Sequence, residues 1–313
     1  MIRNLCTSAV LLLCTAALMA CSVNPATGRA QFRLLPAAQV AAMGDQAKPD
    51  LINEYGGEVE SAELRSYIDR VGRDLVVHVE PQYEDINWTF TVLDTNVINA
   101  FALPGGHVFI TKGLLQHFEN EGQVAGVLGH EIGHVTGRHI DERISQAYAA
   151  EFGLGLLGRA TESELAVLAG QLFATGYTLS FGRSQESEAD KLGVRYMVRA
   201  GYDPQGMLQV LQVLDEAAAG AQPPEFLSTH PHPSTRIETV TGLIEKDYAH
   251  TQDNPEYGLY RSRFESEARP HLGSPQTAMP MPANGCFCGG HPAPAAEESR
   301  QAGHFTPVRS PEG

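Results

Sequence analysis

Residues 122–140 read GQVAGVLGHEIGHVTGRHI, with His130, Glu131 and His134 at the centre. On a helix, positions four apart lie about 40° apart around the axis and one turn along it. His130 and His134 therefore present two imidazoles on one face, at a spacing that can grip one metal ion. Glu131 follows directly and is placed to reach a water on that ion. This is the H-E-x-x-H pattern, whose mechanical reading is zinc with a glutamate general base. Val124, Val127, Leu128 and Val135 give the stretch helical apolar spacing, as that reading requires. The spacing predicts a continuous helix over about 119–142. Gly126, Gly129 and Gly133 each weaken a helix by about 1 kcal/mol relative to Ala, so their recurrence suggests close approach of another element.

Working outward, the chain has 313 residues and a formal net charge of -15. That is length for one sizeable domain with appendages, and the charge argues against nucleic-acid binding, which needs a basic surface. Residues 1–20 read as a targeting leader: Arg3, then the apolar run Val10–Ala20, too short for a stable transmembrane helix. Leu18-Met19-Ala20-Cys21 looks like a lipobox, with cleavage before Cys21 and lipidation of Cys21, so that acyl chains hold the protein on a membrane. Residues 21–36, with Pro25, Gly28 and Pro36, read as a lipidated tether. A first helix is expected near 37–47. A second is expected in 61–79, with Ser61 as N-cap and a stripe of Leu64, Ile68, Val71 and Leu75.

The alternation in Ile86–Leu93 predicts a half-buried strand. Pro104-Gly105-Gly106 marks a turn into a short strand. We expect Gly106, His107, Val108 and Phe109 to form an edge on which a peptide substrate adds as a strand; an interior hairpin strand is the competing assignment. Residues 145–182 are Ala-, Gly- and Leu-rich and read as a buried or cleft-lining helix and loop. Ser180–Asp190 opens a further helix that Gly201 ends, another starts at Pro204, and then a loop, STHPHPSTRI, leads into a last helix that ends near 247. Residues 251–313 are rich in Pro and Gly and are expected to be a flexible tail; they include Cys286 and Cys288, which can pair or stay reduced.

Catalytic zinc uses three protein ligands and keeps one position open. His139 is an unpromising third, because on a continuous helix it points about 140° away from His134. Glu186 and Asp190, four apart on a later helix, share a face. One can ligate the ion while the other hydrogen-bonds the far ring nitrogen of a ligating histidine. Glu188 should face away from them. His230 is either an oxyanion donor, an occupant of the open position that keeps the site latent, or a structural loop residue. Arg236 either pairs with Asp190 or lies on the surface.

NAFALPGGHVFITKGLL, LGHEIGHVTGRH, RSQESEAD and STHPHPSTRI, in this order, resemble the HtpX-like zinc metallopeptidases, relatives of the CaaX prenyl proteases. The chain is most similar to their periplasmic lipoprotein branch, of the BepA and LoiP type, and Asn24-Pro25-Ala26-Thr27-Gly28-Arg29 fits that branch too. The resemblance covers roughly 21–247. It implies an α+β, mostly helical gluzincin-type fold, with a small β-sheet beside the metal helix and a metallopeptidase domain over 37–250. It also implies one Zn(2+) per chain on His130, His134 and Glu186, Glu131 as base, and Asp190 behind the ligands. The implied activity is endopeptidase cleavage of misfolded or unassembled envelope proteins by a zinc-activated water, at the outer membrane facing the periplasm. The alternative is a non-proteolytic chaperone or assembly factor for outer-membrane proteins. No helical repeat is visible after residue 250, a departure from the BepA type.

Overall fold

The computed structural model describes residues 21–152, 180–219, 224–231 and 233–273. The leader, residues 153–179 of the Ala/Gly/Leu-rich segment, and Cys286 and Cys288 lie outside them. The architecture is mostly helical around one small mixed sheet. In chain order the elements begin with β1 (Cys21–Val23), β2 (Ala30–Phe32), α1 (Ala37–Glu54), α2 (Ala62–Val76) and β3 (Thr89–Leu93). Next come β4 (Ala100–Leu103), β5 (His107–Thr111), α3 (Glu121–Thr136) and α4 (His139–Phe152). Of the longer elements the last are α5 (Arg183–Arg199), α6 (Gln205–Ala218), α7 (Pro233–Asp247) and α8 (Arg261–Glu267), with single helical turns such as Lys112–Leu115 and Phe226–Thr229 between elements. Among the described residues no helix is long and apolar enough to cross a membrane.

Local sequence explains most boundaries. Ser61 Oγ accepts from the Leu64 N–H and starts α2. Asn120 and Gln123 cap α3 reciprocally: Asn120 Oδ1 accepts from Gln123 N–H and Gln123 Oε1 from Asn120 N–H. Gly105 and Gly106, at φ +86° and +88°, carry the turn from β4 to β5.

β3, β5 and β4 form a three-stranded sheet with β5 in the middle. β5 is parallel to β3 (Thr89 opposite His107) and antiparallel to β4 (Leu103 opposite His107). This corrects the expectation for Gly106, His107, Val108 and Phe109. His107–Phe109 hydrogen-bond on both sides and Gly106 sits in the turn, so this stretch has no free edge to offer a peptide. The outer strand on that side of the sheet is β4.

α3 is the axis of the molecule, and all sixteen of its residues are buried. A helix buried on every face needs neighbours all round. β4 and β5 lie on one side, α2 on another, and α5 and α6 on the rest. α7 then packs over α5 and α6.

Two segments differ from expectation. Residues 21–32, read as tether, form an antiparallel hairpin against the end of α3, where Asn24 Nδ2 donates to the Thr136 carbonyl at 2.9 Å. Residues 251–273 pack on the rest of the domain. Among them Phe264, Ala268 and Leu272 are buried, and Arg263 Nη1 donates to Glu121 Oε1 at the start of α3, 2.9 Å away. Those apolar residues are sparse among charges, so only their burial against α2 and α3 marks them as core. Phe264→Ala should therefore cost about 3–5 kcal/mol of stability in urea denaturation. A change within about 0.5 kcal/mol would return the segment to a loose tail.

Candidate metal centre

The site is built by two helices whose backbones nearly touch. A Cβ on Gly129 would sit 3.2 Å from Gly193 Cα, and one on Gly133 would sit 2.7 Å from the Ala189 carbonyl oxygen. Gly126 meets Met207 of α6 in the same way, at 3.0 Å. The glycines that weaken α3 as a helix are thus what lets α5 lie against it. That contact brings Glu186 and Asp190 to the two histidines.

His130 and His134 aim their Nε2 atoms at each other, 3.1 Å apart. Glu186 Oε1 is 3.4 Å from His134 Nε2, and its Oε2 is 3.6 Å from His130 Nε2. His230, on the turn before α7, brings its Nδ1 to 3.1 Å from Glu186 Oε1 and 3.3 Å from His130 Nε2. One donor atom from each of the four residues lies within 4.8 Å of all the others, and all four residues are buried.

The far ring nitrogens settle what the near ones are. Asp190 is an acceptor, so His130 Nδ1–H donates to it at 2.9 Å, leaving Nε2 as a bare lone pair. His134 Nδ1 lies 3.0 Å from His139 Nδ1, and His139 Nε2 lies 3.0 Å from Glu188 Oε2. Glu188 can only accept, so His139 carries its proton on Nε2, and its bare Nδ1 accepts from His134 Nδ1–H. Two lone pairs, on His130 and His134 Nε2, therefore face one another in a buried pocket. They repel unless a cation lies between them. Donors around a tetrahedral ion with bonds of about 2.0 Å are about 3.3 Å apart, and the 3.1 Å between the two Nε2 atoms and the 3.4 Å from His134 Nε2 to Glu186 Oε1 are close to that. These residues fit a divalent metal ion.

The surrounding charges suit that ion. Arg236 is buried and clamps Asp190 through Nε (2.9 Å) and Nη2 (2.6 Å). Its Nη1 lies 2.7 Å from Glu186 Oε2 as an ion pair without hydrogen-bond geometry, and both atoms otherwise lack a hydrogen-bond partner among the described residues. Burial works against ionised Glu186, but the charges of His230 and Arg236 hold it well below the usual carboxylate range. Burial also works against ionised Asp190, and Arg236 outweighs it. Burial pushes His134 well below the usual imidazole range, so it is neutral. Burial raises Glu131.

Glu131 is buried beside the four donors, and its Oε1 has no hydrogen-bond partner among the described residues. It lies 3.7 Å from His230 Nε2. The carboxylate opens into a largely apolar pocket shared with His134, His230, Phe181, Tyr55 and the β4 stretch Phe101–Leu103.

Sequence reasoning left His139 and Glu188 out of this centre. α3 ends at Thr136, and Arg138 takes the left-handed conformation at φ +54°, so α4 starts on a new axis. That break turns His139 back onto His134, where a continuous helix would aim it away. Gly137 between the histidines is the signal that could have revealed it.

The family described as "Peptidase family M48" matches residues 62–244. Relatives include the beta-barrel assembly-enhancing protease of Escherichia coli (strain K12), 36% identical over 184 residues, covering 56% of this chain and 37% of that protein. The protein of the same name from Yersinia pestis is 35% identical over 212 residues, 64% of this chain and 43% of its own. The mitochondrial metalloendopeptidase OMA1 of Homo sapiens is 29% identical over 244 residues, 71% of this chain and 45% of its own. The match spans less than half the length of each. The chain belongs to peptidase family M48.

The helix contact gives a prediction whose sign runs against propensity. Ala should stabilise an isolated helix by about 1 kcal/mol over Gly. Gly133→Ala should nevertheless destabilise this protein, because overpacking against backbone costs about 1–3 kcal/mol. Thermal unfolding checks it, and a raised Tm would show that α3 and α5 do not need the close approach.

Proposed function

We propose that this chain is a zinc-dependent endopeptidase of the bacterial cell envelope, acting on misfolded or unassembled envelope proteins. The observation that carries the reading is the convergence of His130, His134, Glu186 and His230, one ligand atom from each lying within 4.8 Å of the others, beside the buried Glu131 carboxylate, whose Oε1 has no hydrogen-bond partner among the described residues. His130, His134 and Glu186 would hold the ion. Zinc bound there would supply a Lewis acid that brings a water's pKa down to about 7 and polarises a carbonyl.

The chain's own groups do the rest. Glu131, made more basic by burial, takes the proton of the attacking water on Oε1 and passes it to the departing amine. Asp190 and Arg236 keep His130 in one tautomer. β4 pairs with β5 on one side and lines the pocket with Glu131, so a substrate backbone adds to β4, with a side chain in the apolar pocket. His230 Nδ1 lies in the donor set itself, which favours the latent assignment: the ring fills the position that water needs and must swing away for turnover.

Support for the envelope comes from two directions. One is the Leu18-Met19-Ala20-Cys21 motif, whose lipidation at Cys21 would anchor the protein, at the outer membrane facing the periplasm. The other is the similarity to bacterial relatives named for β-barrel assembly. A leader over 1–20 belongs to the same reading, and so does a peptidase domain over 37–250 that the hairpin before it and the packed segment after it extend.

Glu131→Gln should retain the metal and lose casein cleavage by roughly 10²- to 10⁴-fold, and chelation should abolish cleavage in the wild type. A metal-loaded Gln variant that cuts at the wild-type rate would remove Glu131 as base. If that variant instead fully restores a deletion strain's envelope, binding without cleavage is the function. His230→Ala should raise basal turnover several-fold if the ring must leave the site. A loss would make it an oxyanion donor.

A further inference from the structure

The hairpin β1–β2 begins at the cysteine proposed to carry lipid, yet it reaches the metal centre. Asn24 is fully buried, and its Oδ1 accepts from the N–H groups of Ala26 (2.7 Å) and Thr27 (3.1 Å). Its Nδ2 donates to the Thr136 carbonyl (2.9 Å) and to Gln31 Oε1 (3.1 Å), and Gln31 Nε2 donates to the Gly137 carbonyl. A helix leaves its last carbonyls without internal partners. The hairpin supplies those partners at the end of α3, one turn beyond His134.

Gly28, at φ +70°, then turns the chain so that Arg29 faces two helices at once. Arg29 Nε donates to both oxygens of Glu188 (3.0 and 3.1 Å), and its Nη1 and Nη2 donate to the two oxygens of Glu142 (3.0 and 2.9 Å). Glu142 Oε2 also accepts from Gln185 Nε2, in the first turn of α5 (3.1 Å). Glu188 in turn holds His139, and His139 holds His134. The two histidines of α3 are thus oriented by different routes. The His130 route, through Asp190 and Arg236, is buried throughout. The His134 route runs through His139 and Glu188 and ends on a residue of the hairpin.

We propose that hairpin 21–32 is a working part of the metal centre, with Arg29, Glu188 and His139 as positioning residues that hold His134 with its Nδ1 protonated and its Nε2 lone pair on the ion. This rests on the metal reading above. A hairpin that merely packed would add stability and leave metal affinity alone. One that orients His134 sets the affinity, because outer hydrogen-bond partners fix ligand direction and basicity. Within the Asn24-to-Arg29 motif the roles then divide, with Asn24 shaping and docking the turn and Arg29 closing the relay.

The test uses the full chain, stripped of metal, reloaded with Zn(II) and titrated with a competing chelator; a Co(II)-loaded sample reports geometry by its visible spectrum. His139→Leu should weaken zinc by roughly 10- to 100-fold and alter the cobalt spectrum. Glu188→Gln and Arg29→Gln, at part-exposed positions, should weaken it in the same direction, by roughly 10-fold or less. The double variant His139→Leu/Glu188→Gln should lose no more than His139→Leu alone, since the two act in series. Arg33→Gln breaks an ion pair with Asp141 just beyond the same hairpin, 3.2 Å long, without touching the relay. It should lower Tm and leave zinc affinity unchanged. Should His139→Leu fail to fold, Arg29→Gln and Glu188→Gln carry the test. Zinc affinity within about two-fold of wild type in both, or an equal loss in Arg33→Gln, overturns the proposal. A wild-type chain that takes up no zinc overturns the metal reading itself, and this with it.

Discussion

The constraint on which the rest of this molecule depends is the near contact of two helix backbones. His130 and His134 lie on one rod, Glu186 and Asp190 on another, and the separation of the rods decides whether Glu186 can share one ion with the two imidazoles while Asp190 stands behind His130. With ordinary side chains between them, helix axes stand about 8–10 Å apart. Here Gly129 faces Gly193 and Gly133 faces Ala189, leaving no side chain larger than a methyl at the crossing. The cost in helix propensity is offset by the burial of α3 on every side. Fold and site are thus one problem, since the same small residues that allow the packing set the reach of Glu186.

The second constraint is charge. Asp190, Glu186 and Arg236 are buried together, with Glu131 beside them. A buried ion pair is weak evidence of stability, and removing one partner is far more costly than never having the pair. Such an arrangement is retained for what it orders. Arg236 ties the start of α7 to α5, Asp190 holds His130, and Glu186 stays ionised without surrendering its place among the donors. At the other histidine the equivalent role falls to His139, Glu188 and Arg29, and that chain of contacts ends close to solvent. The two imidazoles therefore differ in how firmly they are held, one by the protein's interior and one by its N-terminal hairpin.

Much of this was legible in the residues. The four-residue spacing of His130 and His134 and of Glu186 and Asp190 says which groups share a face before any coordinates. Ser61 as a cap and Pro104-Gly105-Gly106 as a turn were equally plain, because each depends only on neighbouring backbone. Other features were not legible. Val108 and Phe109 carry the same apolar signature whether a strand lies inside a sheet or at its rim, and only pairing with both β3 and β4 decides between them. Phe264 and Leu272 sit in a polar stretch that looks unstructured until α3 is there to receive them.

The residues by themselves determined the chemistry on offer: two imidazoles and two carboxylates at one-turn spacing, a glutamate beside the first histidine, and glycines where helices could meet. They did so because helical periodicity is local and needs no knowledge of the rest of the chain. Only the tertiary structure decided that β4 forms the outer strand beside the site, that His230 enters the donor set, and that His139, Glu188 and Arg29 stand behind His134. Those outcomes depend on a left-handed residue at 138 and on contacts between segments more than a hundred positions apart, such as Arg29 with Glu188. No short-range pattern encodes such a contact, because its energy exists only once both partners are in place.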